Sequence, residues 1–362
     1  MNDKEKADIK EKNIIKNIFS EGKIKKCLFC GIKNNIADCH TIQENNYLNR
    51  ISDNGLIYTF NYDNKGKKLE FKVTHKGKSE FGIFNGFCKK HDTKLFLPIE
   101  NGKEFTQTKE QLFLFAFRSF CYCFHKEREL ILSNKKFKGN FPFSKLSIKE
   151  IFNIFSEKNL NHFIQCLKNR EFDILETFLI EIPFETKIVV SNSFIPPEIN
   201  INIKSSTYFD PFSNLINYRF FLDKDSFLPY IYFNVFPEDK KTFLLFSYFK
   251  ESKNSLDKFL NEIKDNQNDY FWLSNLILNY YGNLIGFSKN YLYKIISDEK
   301  INEILKLIKE RIEDNQFKDF EVNLFQKINN LWKIHYFHRF DIYNSISLLF
   351  SFSFLAFSAQ VS

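Results

Sequence analysis

The sequence predicts an α+β protein in three parts, on three observations. Cys and His pairs between Cys27 and His91 have the spacing of metal ligands. An apolar stretch without Gly or Pro runs from Thr108 to about Leu132. Beyond Ile182 the hydrophobic period shifts toward two. Together they mark a basic zinc-binding module over residues 1–107, a helical connecting region over 108–185, and an α+β C-terminal domain with an antiparallel sheet over 186–362.

Residues 1–26 are charged and Lys-rich, with Ile9, Ile14, Ile15, Ile18 and Phe19 at near-helical spacing, which reads as a leading helix. Next come Cys27-Leu28-Phe29-Cys30 and, after 57 intervening residues, Cys88-Lys89-Lys90-His91. Each pair brings two ligands to one point and neither closes a shell alone, so together they predict one tetrahedral Zn²⁺ site. Gly31 permits the tight turn of a metal knuckle, and Lys89 to Phe96 reads as a short amphipathic run. Knuckle, strands, then ligands on a helix is a treble-clef order. Between the half-sites, Ala37 to Ile42 reads as a strand, and Leu56 to Tyr62 with Leu69 to Val73 as a hairpin turning at Asp63-Asn64-Lys65-Gly66.

Thr108 with Gln111 forms a capping box for a long buried helix, broken at Gly139 to Pro142. Ser147 with Glu150 opens a second helix with Ile151, Ile154 and Phe155 on one face. Thr186 to Val190 and Ile199 to Ile203 read as strands. Tyr230 to Phe236 pairs with Thr242 to Phe249 across a loop from Pro237 to Lys241. Helices return from Leu256. One of them, capped by Ser297 or Asp298, carries an apolar stripe of Ile301, Ile304, Leu305, Ile308 and Ile312.

Charge is divided unevenly. Residues 1–140 hold 27 Lys+Arg against 17 Asp+Glu, and the remainder 25 against 27, so the whole excess behind the net +8 lies with the zinc stretch. That placement suits contact with a nucleic-acid backbone, and equally a solvated Lys-rich surface from a biased composition, in which Lys outnumbers Arg 45 to 7 and Phe reaches 46. Seven cysteines without a regular framework suit a reducing, cytoplasmic setting, and the N-terminus has no apolar leader. Ile342 to Ala359 is uncharged, but its Ser and Phe alternation fits a buried strand better than a membrane span, so no membrane partner is expected. Trp332, His335 and His338 have helical spacing without further ligands, and Cys121, Cys123 and His125 lie in an apolar helix as small core residues. No phosphate-binding GxxxxGK(S/T), GxGxxG or GxSxG motif occurs.

Residues 27–96 resemble the HNH, or ββα-metal, nuclease family, through Cys27-x2-Cys30, Asp38-Cys39-His40-Thr41-Ile42 and Asn85-Gly86-Phe87-Cys88-Lys89-Lys90-His91-Asp92. The resemblance implies a treble-clef zinc module and a metal-dependent endonuclease, of a kind often joined to unrelated partners in bacterial defence. It makes Cys27, Cys30, Cys88 and His91 the structural zinc ligands and His40 the general base. Asn85 would fix the loop carrying the base. Asp92 stands where the family places a ligand of the catalytic metal, here Mg²⁺ or Mn²⁺, and Asp38 would reach that metal from the face it shares with His40. The sequence departs from the family pattern at Cys39, where Asp is common, at His91, where a fourth Cys is usual, and in the long interval from His40 to His91. Two alternatives stay open: His40 as fourth zinc ligand in place of His91, and Asp92 as a partner that orients His91. The corresponding non-enzymatic reading is a nucleic-acid-binding or adaptor protein with a structural zinc, with a protein partner or second copy at the C-terminal region.

Overall fold

The computed structural model describes residues 25–63, 70–100, 102–136, 143–196, 228–280, 284–314 and 318–327. Several expectations lie outside these residues: the leading helix, the Asn64 to Gly66 turn, the Gly139 to Pro142 break, the Ile199 to Ile203 strand, the Trp332 to His338 triplet and the Ile342 to Ala359 segment. The fold is α+β with antiparallel sheets.

A small sheet pairs β1 (Cys39–His40) with β4 (Ile83–Phe84). Between them, β2 (Leu56–Asp63) and β3 (Glu70–Gly77) form the expected hairpin, longer than predicted in its second strand. Then follow helices α1 (Lys89–Leu95), α2 (Lys109–Lys136) and α3 (Phe143–Asn169), and strands β5 (Leu175–Ile182), β6 (Ile188–Phe194), β7 (Ile231–Glu238) and β8 (Lys241–Phe249). The chain continues through α4 (Lys253–Asp265), α5 (Tyr270–Asn279), β9 (Ile285–Phe287), α6 (Lys289–Ile295) and α7 (Asp298–Asp314). Among the described residues, no helix is long and apolar enough to cross a membrane.

The β2–β3 hairpin does more than fill the interval between the half-sites. It continues a seven-stranded sheet in the order β3-β2-β9-β6-β7-β8-β5, joined where Tyr58 pairs with Phe287. Gly286 is the point of closest approach. A Cβ there would lie 2.7 Å from Phe81 and 2.9 Å from Ile57, so only hydrogen lets the two parts of the chain press together.

Alternation along the central strands explains the layers. Val189, Tyr232 and Leu245 face a core shared with the N-terminal region, α2 and α3, whereas Ile188, Val190, Phe233 and Phe246 face a second core with α4 to α7. The abundant Phe fills both. Phe115 stacks on Phe236 at 4.7 Å, and Phe117 touches Phe87, Phe96 and Phe163. Helix α2 is the common element, with Phe113, Leu114, Ala116, Phe117, Phe120 and Cys121 all buried.

Three local expectations are corrected. The Thr108 hydroxyl accepts from the Gln111 amide at 3.3 Å, as a capping box requires. The Gln111 side chain does not reach back, however, and instead donates to Glu104 and Pro98 carbonyls and accepts from Thr106 N–H. Ser147 lies inside α3 rather than at its start, because the helix begins at Phe143. The loop between β7 and β8 is only Asp239 and Lys240, at φ 48° and 64°. This positive-φ pair matches the twist of the flanking strands, so pairing extends through Glu238 and Lys241.

Candidate metal centre and adjoining polar cluster

The knuckle is closed by backbone hydrogen bonds from Cys27 N–H to the Ile32 carbonyl and from Gly31 N–H to the Cys27 carbonyl, both 2.8 Å, with Gly31 at φ 74°. It is strapped to the second half-site through Leu28 N–H to Gly86 O at 2.8 Å and Ala37 N–H to Phe87 O at 2.9 Å. Cys88 precedes α1, and His91 sits in its first turn. As a result the donor atoms of Cys27, Cys30, Cys88 and His91 lie within 4.8 Å of one another, a group able to hold a metal ion.

The separations suit a tetrahedral ion. His91 Nδ1 is 3.3 Å from Cys88 Sγ and 3.7 Å from Cys27 Sγ. Around zinc, a sulfur at ~2.3 Å and a nitrogen at ~2.0 Å would stand roughly 3.5 Å apart. The surroundings favour the ligating protonation states. Burial pushes the Cys27 thiol up, opposed by N–H groups of Cys88, Cys30 and Phe29, while the Ile32 N–H holds the Cys30 thiol down. Burial, then Lys90 and Lys94, keep the His91 imidazole below its ordinary range and so neutral. Phe29 packs on the His91 ring at 4.7 Å.

His40 is not one of the four donors. It ends β1, mostly buried, with Nε2 lacking a hydrogen-bond partner and 3.7 Å from Glu44 Oε2. Asn85 anchors the chain just before it, donating to the Ala37 carbonyl at 3.2 Å and to Asp38 Oδ1 at 2.6 Å. Asp38 therefore does not share a face with His40. The strand is only Cys39–His40, and Asp38 lies outside it, exposed and bound to Asn85.

Asp92 turns inward, away from the four donors. Its Oδ1 is 3.9 Å from Arg118 Nη2, and Arg118 also pairs with Glu100 and lies 4.2 Å over the Phe96 ring. Burial raises the Asp92 carboxyl, against the pull of Arg118 and the Cys39 thiol. Cys39 is itself pushed up by burial and by the facing Asp92, so it stays a neutral thiol.

Arg118, Glu100, Glu44 and Gln43 were not singled out in the sequence. Arg118 left a signal, as a single Arg within an apolar helix of a chain holding 7 Arg against 45 Lys. Gln43 is buried with neither amide atom partnered, at the start of a π-helical turn, Glu44–Leu48, and gave no signal. No family model matches this chain, and the searches of curated proteins and of solved structures found no significant match.

Proposed function

We propose that residues 27–96 form a treble-clef zinc module of the HNH kind and that the protein is a nucleic-acid endonuclease with His40 as general base. The observation that carries the reading is the order strand, strand, helix closed around four metal donors, with His40 at the end of the first strand and outside the donor set. Soft thiolates with one imidazole select zinc over magnesium or calcium, and four protein donors leave no open position, so this ion would be structural.

Imidazole exchanges protons near neutral pH, which suits His40 to take one from the water attacking a phosphodiester. Asn85 supports this role by fixing Ala37 and Asp38 ahead of the strand. Exposed Lys89, Lys90 and Lys94 beside the donors offer charge to a phosphate backbone. The Mg²⁺ or Mn²⁺ that the resemblance implies finds less support. Asp38 is engaged by Asn85 and Asp92 is backed by Arg118, so neither completes an oxygen site with His40. That second metal is left to experiment.

The same Arg118 contact favours a second reading, a zinc-anchored nucleic-acid-binding protein without cleavage, since a protein cation already balances Asp92. One experiment decides between them: the full chain is incubated with duplex DNA, single-stranded DNA and RNA, with and without Mg²⁺ or Mn²⁺. Under the nuclease reading His40→Ala lowers cleavage about 10²- to 10⁴-fold and leaves zinc content unchanged. Binding without cleavage by the wild type selects the second reading. Loss of zinc in His40→Ala, with zinc retained in His91→Ala, would overturn the assignment of both residues.

A further inference from the structure

A second surface, away from the metal donors, carries a cluster of rings and charge at the start of the seven-stranded sheet. Lys289 and Tyr293 stand four residues apart, on one face of α6, while Tyr291 and Leu292 point into the core. The exposed pair lies against Tyr58 and His75, cross-strand partners on β2 and β3. Ring centroids of Tyr58 and His75 are 5.6 Å apart, Tyr293 meets Tyr58 edge-on at 6.4 Å, and Lys289 Nζ is 5.9 Å from the Tyr58 ring.

The sheet emerges from its core here. Phe60, on the same face of β2, is 1% exposed, Tyr58 is half-buried, His75 is exposed, and Tyr293 is 42% exposed at the side where β3 forms the sheet edge. The nearby Asp53 carboxylate is turned into the start of α6, where it accepts from Ser288 Oγ at 2.6 Å and Asn290 N–H at 3.0 Å. Its charge is thereby drawn off the cluster, leaving Lys289 to set the sign.

We infer that Tyr58, His75, Tyr293 and Lys289 form a stacking platform for unpaired bases of a single-stranded nucleic acid, with Lys289 meeting a neighbouring phosphate. Grouped aromatic rings bind any base through its π-face, and the adjoining cation both polarises the rings and neutralises the backbone. Duplex bases have their faces already stacked and cannot use such a surface. The inference rests on the nucleic-acid reading above but uses a surface separate from the metal module, so the two can fail separately.

The test measures binding of a fluorescent oligothymidylate to the full chain at fixed salt without added divalent metal. Tyr293→Ala is expected to weaken binding about 5- to 100-fold. Tyr293→Trp should keep it and show indole quenching on binding. Lys289→Gln should reduce the slope of log affinity against log salt by about 0.7. Both residues are exposed, so thermal midpoints should not move, and duplex binding should be indifferent to Tyr293→Ala. Unchanged oligothymidylate affinity in Tyr293→Ala, or an unquenched indole while the oligonucleotide is bound, overturns the platform and leaves the patch to a protein partner. If Lys90→Glu weakens binding while Tyr293→Ala does not, the platform alone falls. If the wild type binds no oligonucleotide at low salt, the nucleic-acid reading falls and takes the platform with it.

Discussion

Replacing Arg118 by Met should expose what the buried polar cluster contributes. The guanidinium is 2% exposed, paired with Glu100, near Asp92 and laid over Phe96. Met keeps much of the volume and the contact with Phe96 but leaves two partly buried carboxylates without their cation. Removing one partner of a buried ionic group costs about 3–5 kcal/mol. With an unfolding entropy of ~2 cal/mol/K per residue, that is a fall of about 5 °C in the midpoint if the chain unfolds as one unit. Differential scanning calorimetry and urea titration would measure it. The pH dependence gives an internal check. Burial raises the Asp92 carboxyl, so the folded chain holds this proton at a pH where the unfolded chain has released it, and Asp92 costs stability as pH rises through that window. Arg118 pulls the carboxyl down, so its removal widens the window upward, and the variant's deficit should shrink as pH falls. Arg118→Met combined with Asp92→Asn and Glu100→Gln should recover much of the loss. A deficit under about 1 kcal/mol, or one that grows toward acid, would refute the reasoning.

Metal analysis of the reduced protein should find about one zinc per chain. Cys27→Ala or Cys88→Ala should abolish it and unfold the module, since structural zinc supplies on the order of 10 kcal/mol in small sites; a folded, reduced, zinc-free wild type would contradict this. Affinity for nucleic acid should fall steeply with salt, and Lys89→Gln with Lys90→Gln should lower the salt slope by about 2 on duplex DNA. A slope insensitive to both would move the backbone contact elsewhere.

The four metal donors were legible because half-site spacing is a local property of the sequence, and so is the periodicity that marked α2 and the β7–β8 hairpin. What was not legible is non-local. Nothing in Tyr58 or Phe287 announces that they pair, because a strand's partner is chosen by the buried surface both complete. The place of Asp92 was readable, as the residue after the last donor. Its partner was not, because Arg118 lies on a later helix that comes alongside only in the tertiary fold. Asp38 was misplaced by assuming a regular strand where the pairing covers only two residues. The abundance of Phe read as compositional bias, yet these rings fill the two cores that bracket the sheet.

The link from the sheet to His40 runs through the next residue, Thr41, and can be weighed bond by bond. Thr41 Oγ1 lies 2.7 Å from Ser191 Oγ on β6, which lies 2.6 Å from Ser119 Oγ on α2, and Ser119 also donates toward Asn234 Oδ1 at 3.2 Å. Ser191 is the middle of the chain. Ser191→Ala deprives both Thr41 and Ser119 of a partner, whereas after Thr41→Val each remaining hydroxyl keeps one. Unsatisfied buried groups cost about 1–3 kcal/mol, so Ser191→Ala should destabilise by about 2 kcal/mol and Thr41→Val by about 1. The double variant should cost less than the sum, because the two changes break one shared bond. Thr41 is also held by its N–H to the Gly82 carbonyl at 2.9 Å, so the strand should stay paired and the four donors should keep their zinc. If His40 is the base, Thr41→Val should then lower cleavage without lowering metal content. Additive stabilities, or a larger loss from Thr41→Val than from Ser191→Ala, would mean that these hydroxyls do not act as one chain.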